Sequence, residues 1–316
     1  MSVYSSELEV HPLTEIPSFG AVVKGLDPAR LDDDTIRTAL RRLWIDAGIV
    51  VFDGLDDAET HLALSRVFGP LIAHPVQAQD PSRREILTVR HDPEDAYLVA
   101  IDGAVMGAWL PWHSDLVHVD RINHGGILRP IKLPSRGGAT GFIDKAAAYA
   151  LLPDRLKARI EGLEVVYQFD RDPSHQRFGK TADIEVVSIN QRSRAYADRQ
   201  FPRVRHPMVF VQPETGRKML NVSPWFALGV ADVAPVEGDA LLDDVVGYAT
   251  DPRNAYYHAW KTGQMLLFDN WRVLHCAAGA PADEERWLER TTIEGDYGVG
   301  RADEGESVED SARIEV

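Results

Sequence analysis

The chain has 316 residues, 44% of them hydrophobic, and this length allows a complete hydrophobic core within a single domain. Its 49 acidic and 34 basic residues give a formal net charge of -15, which disfavours nucleic acid and anionic membrane surfaces as partners. The single cysteine, Cys276, excludes internal disulfides and a cysteine-rich zinc site, so any metal must be bound by histidine and carboxylate side chains.

The N-terminus lacks the basic and then apolar order of a secretory signal peptide. No apolar run approaches the roughly 20 residues that are needed to cross a bilayer. We therefore expect a cytoplasmic protein that acts on a small molecule and has neither nucleic acid nor a membrane as a partner.

The first half of the chain predicts helices placed around a buried strand. Apolar residues over 36–47 recur at helical spacing, and the β-branched run GIVVF at 48–52 predicts a buried strand. A second helix is predicted over 58–68. Residues 144–162 predict two short helical pieces, separated by Pro153, that form an insertion between strands.

The second half is dominated by short strand patterns. Strands are predicted at 163–169, 206–212, 218–222, 264–269 and 286–296, with a hairpin turn at 213–217 and a helix at about 239–248. Short strands separated by turns and helical insertions favour a β sandwich or barrel over alternating βαβ units. We expect one domain over 1–300 and an acidic, flexible tail over 301–316.

The stretch LPWHSDLVHVDRINHGG contains the pattern His-x-Asp twice, at His113/Asp115 and at His118/Asp120. If residues 112–120 are extended, the first pair lies on one face and the second pair on the other, because successive side chains of a strand alternate. Only one pair can then point into a given pocket.

A divalent ion needs a third ligand, and His275 is the best candidate because it follows the apolar strand predicted at 264–269. Two histidines and one carboxylate leave three open positions, which is typical of non-haem Fe(II) oxygenases. The alternative is that His-x-Asp occurs by chance and that a lone histidine after a strand is a hydrogen-bonded surface or core residue.

Two arginines follow His275. Arg286 and Arg290 are four residues apart on a predicted strand, so they share a face and can enter the same pocket. A guanidinium group binds a carboxylate through two parallel hydrogen bonds. The alternative is that each arginine pairs with a nearby acid, such as Glu284, Glu285 or Glu289.

These motifs resemble the taurine dioxygenase and 2,4-dichlorophenoxyacetate dioxygenase (TauD/TfdA) family of Fe(II)- and 2-oxoglutarate-dependent oxygenases. The resemblance runs from GIVVF and SRVFGPLIAHPV through WHSD and LPSRGGATGFID to FDNWRVLH and RWLERTTIEGD. The family pattern is His-x-Asp, a Thr or Ser, a distant His and then an Arg. In this chain it matches His113, Asp115, Thr140, His275 and Arg286. The first His-x-Asp pair therefore matches, and we expect the second to face away from the pocket as a structural pair.

The resemblance implies a mainly β fold with flanking helices, the double-stranded β-helix or jelly roll of clavaminate synthase-like proteins. It implies that His113, Asp115 and His275 form the catalytic Fe(II) site, with 2-oxoglutarate and O2 as co-substrates. The far carboxylate of 2-oxoglutarate would pair with Arg286 and accept a hydrogen bond from Thr140. We also expect a homo-oligomer, either a dimer or a tetramer.

Further positions bear on the primary substrate. His74 and Arg290 match residues that bind the sulfonate in the taurine enzyme, so the resemblance implies an anionic substrate. Trp109 replaces a polar residue and Gln77 replaces a tyrosine. Apolar surface is added by Leu116, Phe169 and Trp225. We therefore expect hydroxylation, with or without cleavage, of a carboxylate, sulfonate or sulfate ester that has an aromatic or alkyl body.

Two other functions stay open. The same iron chemistry could serve biosynthetic tailoring or desaturation of an amino-acid derivative. A non-catalytic binding protein could keep the barrel and lose turnover, although the complete set of ligand and co-substrate residues argues against this. A halogenase is disfavoured, because halogenating relatives replace the carboxylate ligand and Asp115 is present.

Overall fold

The computed structural model describes residues 8–16, 19–73, 83–194 and 201–303. In chain order its strands are β1 (Glu9–Pro12), β2 (Ala21–Lys24), β3 (Ile49–Asp53), β4 (Ile86–His91), β5 (Leu98–Ile101), β6 (Ala104–His113), β7 (Gly125–Lys132), β8 (Thr140–Asp144), β9 (Glu164–Tyr167), β10 (Ile184–Ser188), β11 (Val204–Pro207), β12 (Val209–Val211), β13 (Lys218–Leu220), β14 (Ala227–Val230), β15 (Ala255–His258), β16 (Gln264–Asp269), β17 (Val273–Pro281), β18 (Arg286–Thr291) and β19 (Arg301–Ala302). The α-helices are α1 (Asp34–Ala47), α2 (Ala58–Phe68), α3 (Lys145–Leu151), α4 (Asp154–Ile160), α5 (Gln191–Arg194) and α6 (Pro235–Ala249).

Two large sheets form the body of the fold. A seven-stranded sheet has the order β1-β2-β3-β16-β7-β18-β4, and a six-stranded sheet has the order β10-β5-β6-β17-β8-β15. Neighbouring strands are antiparallel throughout both sheets, except that β2 and β3 are parallel. This architecture is a jelly roll, so the predicted mainly β fold is confirmed.

The central strand β16 has a run of apolar residues with no alternation between apolar and polar side chains. Leu266 and Phe268 pack into a core between the two sheets, where they meet Phe142 of β8. Met265 and Leu267 project from the opposite face and pack with α1 and α2. A strand that is covered on both faces needs apolar residues at every position.

Helix α1 follows from local sequence signals. Its N-cap, Asp33, accepts hydrogen bonds from the backbone N–H groups of Thr35 and Ile36, which typically stabilises a helix by about 1 kcal/mol. The helix ends at Gly48, whose φ of 75° is accessible to glycine at little cost. The helix predicted over 36–47 is therefore confirmed, and it begins two residues earlier.

A smaller sheet, β14-β9-β11-β19, packs with helices α3, α4 and α6 in a third core. Its edge strand β19 pairs Arg301 with Arg205 and Ala302 with Val204. The prediction that a flexible tail begins at residue 301 is therefore wrong for its first two residues, because backbone pairing holds them in a sheet. Residues 304–316 lie outside the described residues.

Several predicted boundaries shift. The strand predicted over 206–212 is divided into β11 and β12, and the predicted turn at 213–217 does connect β12 to β13. The strand predicted over 286–296 ends at Thr291. Among the helices of the described ranges, none has the length and apolar character needed to cross a membrane.

Candidate active site

Strands β6 and β17 bring two distant histidines together. Their antiparallel register places His113 directly opposite His275, and the two ring centroids are 4.2 Å apart. His275 was predicted to lie where the strand at 264–269 ends. Instead, a turn follows β16, and His275 is the third residue of the next strand. Cross-strand register explains why residues 162 positions apart in sequence become neighbours.

Asp115 reaches the same point through a turn. Strand β6 ends at His113, and Leu116 adopts a left-handed conformation with φ 55°. The prediction that residues 112–120 are extended is therefore wrong beyond His113. Asn270 explains the difference, because its side-chain amide accepts a hydrogen bond from the backbone N–H of Asp115 (2.8 Å) and donates one to its carbonyl (2.9 Å). These bonds replace the pairing that a continued strand would need.

The donor atoms of His113, Asp115 and His275 all lie within 4.8 Å of one another, and all three residues are buried. Asp115 Oδ1 is 3.9 Å from Nε2 of His113 and 3.6 Å from Nε2 of His275. In His113, Nδ1 is 2.8 Å from the Pro111 carbonyl oxygen. Because a carbonyl can only accept, Nδ1 carries the proton and Nε2 presents its lone pair toward the other two side chains.

The electrostatics also fit a cation. Burial, and then the neighbouring His275, lower the pKa of His113 to about 3, so its imidazole is neutral. Burial by itself would raise the pKa of Asp115, but Arg290 and the two histidines lower it well below its usual range. Two imidazoles and one carboxylate form a donor set that suits Fe(II) and leaves open coordination positions.

Arg286 lies in this region, and no described residue supplies a countercharge to it. Its side chain is buried, with 2% exposure, and burial lowers its pKa to about 10, so it remains charged. Nε donates to the Gly138 carbonyl at 2.9 Å and Nη2 to Thr140 Oγ1 at 3.3 Å. No carboxylate in the described part of the chain forms an ion pair with it. A buried, uncompensated guanidinium is costly unless an anion binds there.

The hydroxyl of Thr140 has a defined direction. Its oxygen accepts hydrogen bonds from Trp260 Nε1 at 2.9 Å and from Arg286. Both lone pairs are thereby used, which leaves the hydroxyl proton free to be donated to a further acceptor. Thr140 and Arg286 are hydrogen-bonded to each other, and both line the same cavity.

The acids that were considered as alternative partners of Arg286 and Arg290 pair elsewhere. Glu284 accepts from Ser135, Glu285 pairs with Arg90 and Lys132, and Glu289 pairs with Arg83 and Arg129. That alternative is therefore wrong. Arg290 instead donates from Nη1 to Asp115 Oδ2 at 2.5 Å, while its buried Nε and Nη2 have no partner among the described residues.

These side chains line a single cavity of about 290 Å³. It contains the three candidate metal ligands, Thr140, Arg286 and Arg290, and also the apolar residues that were expected near the substrate: Trp109, Leu116, Phe169 and Trp225. The predicted substrate residues His74 and Gln77 lie outside the described residues. The cavity therefore combines a polar end with largely apolar walls.

His118 departs from its prediction. It was expected to face away from the pocket, but it is buried, with 4% exposure, and lines the cavity. Its ring packs against Phe169 at 4.7 Å and Phe226 at 5.0 Å between centroids. The turn after His113 abolishes the alternation on which the prediction relied. Asp120, by contrast, is exposed.

The sequence patterns did not identify Asn270 or Trp260, which position Asp115 and Thr140. They also missed a polar part of the cavity wall formed by Tyr97, Arg171, Asn190 and Ser193. The one available signal for Asn270 was its place in a buried run five residues before His275, since a polar residue there needs a specific partner.

Comparison with known proteins decides the family. Residues 9–292 match the family described as "Taurine catabolism dioxygenase TauD, TfdA family". The chain belongs to this family. It is therefore an Fe(II)- and 2-oxoglutarate-dependent oxygenase, and its His-Asp-His cluster agrees with the iron that the TauD/TfdA family uses.

Relatives of known activity cover nearly the whole chain. The (S)-phenoxypropionate/α-ketoglutarate dioxygenase of Sphingobium herbicidovorans is 31% identical, over 92% of this chain and 96% of the relative. Pentalenolactone F synthase of Streptomyces arenae is 27% identical, over 88% of this chain and 93% of that protein. A taurine dioxygenase structure from Burkholderia xenovorans superposes with a TM-score of 0.70 at 25% identity, covering 94% of this chain and 97% of the other.

Proposed function

We propose that this enzyme hydroxylates an organic acid whose body is hydrophobic. In this proposal His113, Asp115 and His275 bind Fe(II), and Thr140 and Arg286 bind the far carboxylate of 2-oxoglutarate. Iron and 2-oxoglutarate, once bound, supply the oxidising power that breaks a substrate C–H bond with dioxygen as the oxidant. The chain itself binds and orients the reactants and keeps water away from them.

The observation that carries the proposal is the buried Arg286, which has no ion-pair partner among the described residues and lies in the same cavity as the His-Asp-His cluster. A metal site alone would not require a second cation. A diacid that chelates the metal at one end needs a cation at its other end, and Arg286 with the Thr140 hydroxyl offers a charge and directed donors.

The substrate proposal rests on Arg290 and on the apolar residues of the same cavity. The Nε and Nη2 groups of Arg290 are buried donors with no partner in the described ranges, and they suit the anionic group of a substrate. Trp109, Phe169 and Trp225 provide apolar walls for its body. The relative from Sphingobium acts on (S)-phenoxypropionate, which has this combination of an anion and an aromatic ring.

The co-substrate half is tested without turnover. The apoprotein is titrated anaerobically with Fe(II) and 2-oxoglutarate, and we expect the weak visible charge-transfer band of a chelated keto acid. Absence of this band at saturating concentrations of both would contradict the assignment of the cavity.

The substrate half is tested by succinate release. The iron-loaded enzyme is incubated aerobically with 2-oxoglutarate and either (S)- or (R)-2-phenoxypropionate, with 2-phenoxyethanol as a neutral control of similar shape. We expect an acid to stimulate succinate formation above the substrate-free rate and the alcohol not to do so. Equal stimulation by the alcohol would show that the anion is not recognised.

A second candidate is biosynthetic tailoring, and the similarity to pentalenolactone F synthase favours it. The metal and 2-oxoglutarate sites would be the same, and only the product would differ. Product mass separates the two, since hydroxylation adds one oxygen atom and desaturation removes two hydrogen atoms.

We also propose that the enzyme is a cytoplasmic homo-oligomer, a dimer or a tetramer. The acidic composition and the single buried cysteine are compatible with a reducing compartment. Light scattering of the purified protein measures the mass of the assembly, and a mass of 35.2 kDa would contradict oligomer formation.

A further inference from the structure

We propose that Arg290 is a positioning residue that keeps Asp115 a one-oxygen ligand of the iron. The inference rests on the metal site of the proposed function, and it gives Arg290 a role that is separate from binding the substrate's anion. This role determines how many coordination positions of the metal remain for 2-oxoglutarate and dioxygen.

The two carboxylate oxygens of Asp115 face different partners. Oδ1 lies 3.6 Å from His275 Nε2 and 3.9 Å from His113 Nε2, so it belongs to the donor cluster. Oδ2 accepts a hydrogen bond from Arg290 Nη1 at 2.5 Å. An oxygen that already accepts a short, charged hydrogen bond is the poorer metal ligand of the two, so this contact favours metal binding through Oδ1 alone.

The geometry has a countable consequence. In an octahedral site, two histidines and one carboxylate oxygen leave three open positions. 2-Oxoglutarate would take two of them through its keto and carboxylate oxygens, and the third would be left for dioxygen. If both oxygens of Asp115 bound the metal, 2-oxoglutarate would fill the remaining positions. Holding Oδ2 away from the metal therefore preserves the position that dioxygen requires.

The surroundings make this contact rigid. Both side chains are at least nine-tenths buried, so water does not compete for the ion pair. Arg290 lies within β18 between its partner strands, opposite Leu87 of β4 and Leu128 of β7. The backbone of Asp115 is held independently by the Asn270 amide. The backbones on both sides of this contact are therefore held by buried hydrogen bonds.

The positioning role leaves the substrate proposal intact, because different atoms serve each purpose. Nη1 contacts Asp115, whereas Nε and Nη2 have no partner among the described residues. One guanidinium group can therefore bind the metal's carboxylate and a substrate anion at the same time.

The test compares Arg290→Gln with the wild-type enzyme and with Arg90→Gln. Arg90 lines the same cavity, but it pairs with Glu285 and Asp92 and does not contact a candidate metal ligand. Each protein is loaded anaerobically with Fe(II) and saturating 2-oxoglutarate, without substrate or turnover. Nitric oxide is then added as a probe of the last open position, and its binding is followed by electron paramagnetic resonance.

We expect Arg290→Gln to retain iron but to bind nitric oxide roughly 10- to 100-fold more weakly in the presence of 2-oxoglutarate, the range that the loss of one charged hydrogen bond gives. Arg90→Gln should match the wild type. Arg290→Lys, which keeps a cation beside Oδ2, should recover part of the loss.

The proposal is overturned if Arg290→Gln binds iron, 2-oxoglutarate and nitric oxide as the wild type does. It is also overturned if the glutamine and lysine variants lose the probe equally. A failure of the underlying metal assignment is distinguishable, since the wild type itself would then show neither the 2-oxoglutarate band nor a nitrosyl signal. Melting curves of all variants identify any loss of folding.

Discussion

Replacing Arg286 by glutamine should weaken 2-oxoglutarate binding far more than metal binding. The guanidinium group is buried and has no carboxylate partner in the described ranges, so a bound diacid would depend on it for charge compensation. Glutamine is shorter and uncharged; its amide reaches about as far as Nε of Arg286, so the change removes the charge and the Nη donors. The change therefore isolates recognition of the far carboxylate.

The magnitude follows from burial. A hydrogen bond to a charged group contributes about 1.5–3 kcal/mol, and a carboxylate left without its cation in a dry site adds a desolvation cost. A total of about 3 kcal/mol corresponds to a loss of affinity of roughly 100-fold. Thr140→Val removes one neutral donor from the same carboxylate and should cost about 1 kcal/mol, or roughly 5-fold.

The assay is the anaerobic titration of the Fe(II)-loaded enzyme with 2-oxoglutarate, followed by the visible absorption band. Iron affinity, measured separately by competition with a chelator, should stay within about threefold of wild type, because Arg286 offers no metal ligand. If Arg286→Gln bound 2-oxoglutarate as tightly as Thr140→Val does, the cation would not be the anchor, and the assignment of this end of the cavity would be refuted.

Two further predictions concern the metal and the buried network behind it. Asp115→Ala should abolish iron-dependent succinate formation, whereas Asp120→Ala, which alters the exposed acid of the second His-x-Asp pattern, should spare it; the reverse result would show that the other pair binds the metal. Burial lowers the pKa of Lys145 from 10.5 in the unfolded chain to about 7, even though Asp269 and Asp144 favour its charge. Above pH 7 the folded protein therefore binds fewer protons than the unfolded chain, and its stability rises with pH until the unfolded lysine also titrates. Urea unfolding of the metal-free protein measures this effect against Lys145→Met. From pH 7 to pH 9 the free energy of unfolding of wild type should rise by about 2 kcal/mol relative to that of the variant. A difference that does not change with pH would contradict the lowered pKa of Lys145.

Local patterns were sufficient for elements that local forces stabilise. The helix at 36–47 has its own cap and apolar stripe, and the strand at 48–52 is apolar because it is covered on both faces. The four-residue spacing of Arg286 and Arg290 correctly placed both in one cavity, since side chains of a strand alternate between faces. Periodicity carries this information directly.

The turn after His113 could not be predicted in this way. It depends on Asn270, which is 155 residues away in sequence and supplies the hydrogen bonds that a strand neighbour would otherwise provide. The strand assumption paired His113 with Asp115 by alternation, although the two side chains meet because the chain turns. The family resemblance selected the matching pair, while the physical reasoning for its geometry was wrong.

The position of His118 was missed for the same cause. Alternation placed it on the far side of a strand, but a left-handed residue at Leu116 redirects the chain, and the ring enters the aromatic wall of the cavity. A non-glycine residue with a positive φ is uncommon, so there was no reason in the sequence to predict one at Leu116. Tertiary contacts decide such positions.

The charges buried in the cavity restrict the substrate further. Among the buried lining residues that the structure describes, Arg286 and Arg290 are the arginines and Asp115 is the carboxylate, which leaves one net positive charge. Fe(II) adds two positive charges and 2-oxoglutarate adds two negative charges, so one positive charge still lacks a partner. A substrate with a single negative charge neutralises it, whereas a neutral or dianionic compound leaves a buried charge uncompensated. We therefore expect 2-phenoxypropionate to displace a bound, inactive monoanionic analogue far better than 2-phenoxypropionamide does. Equal displacement by the neutral amide would refute this count of buried charges.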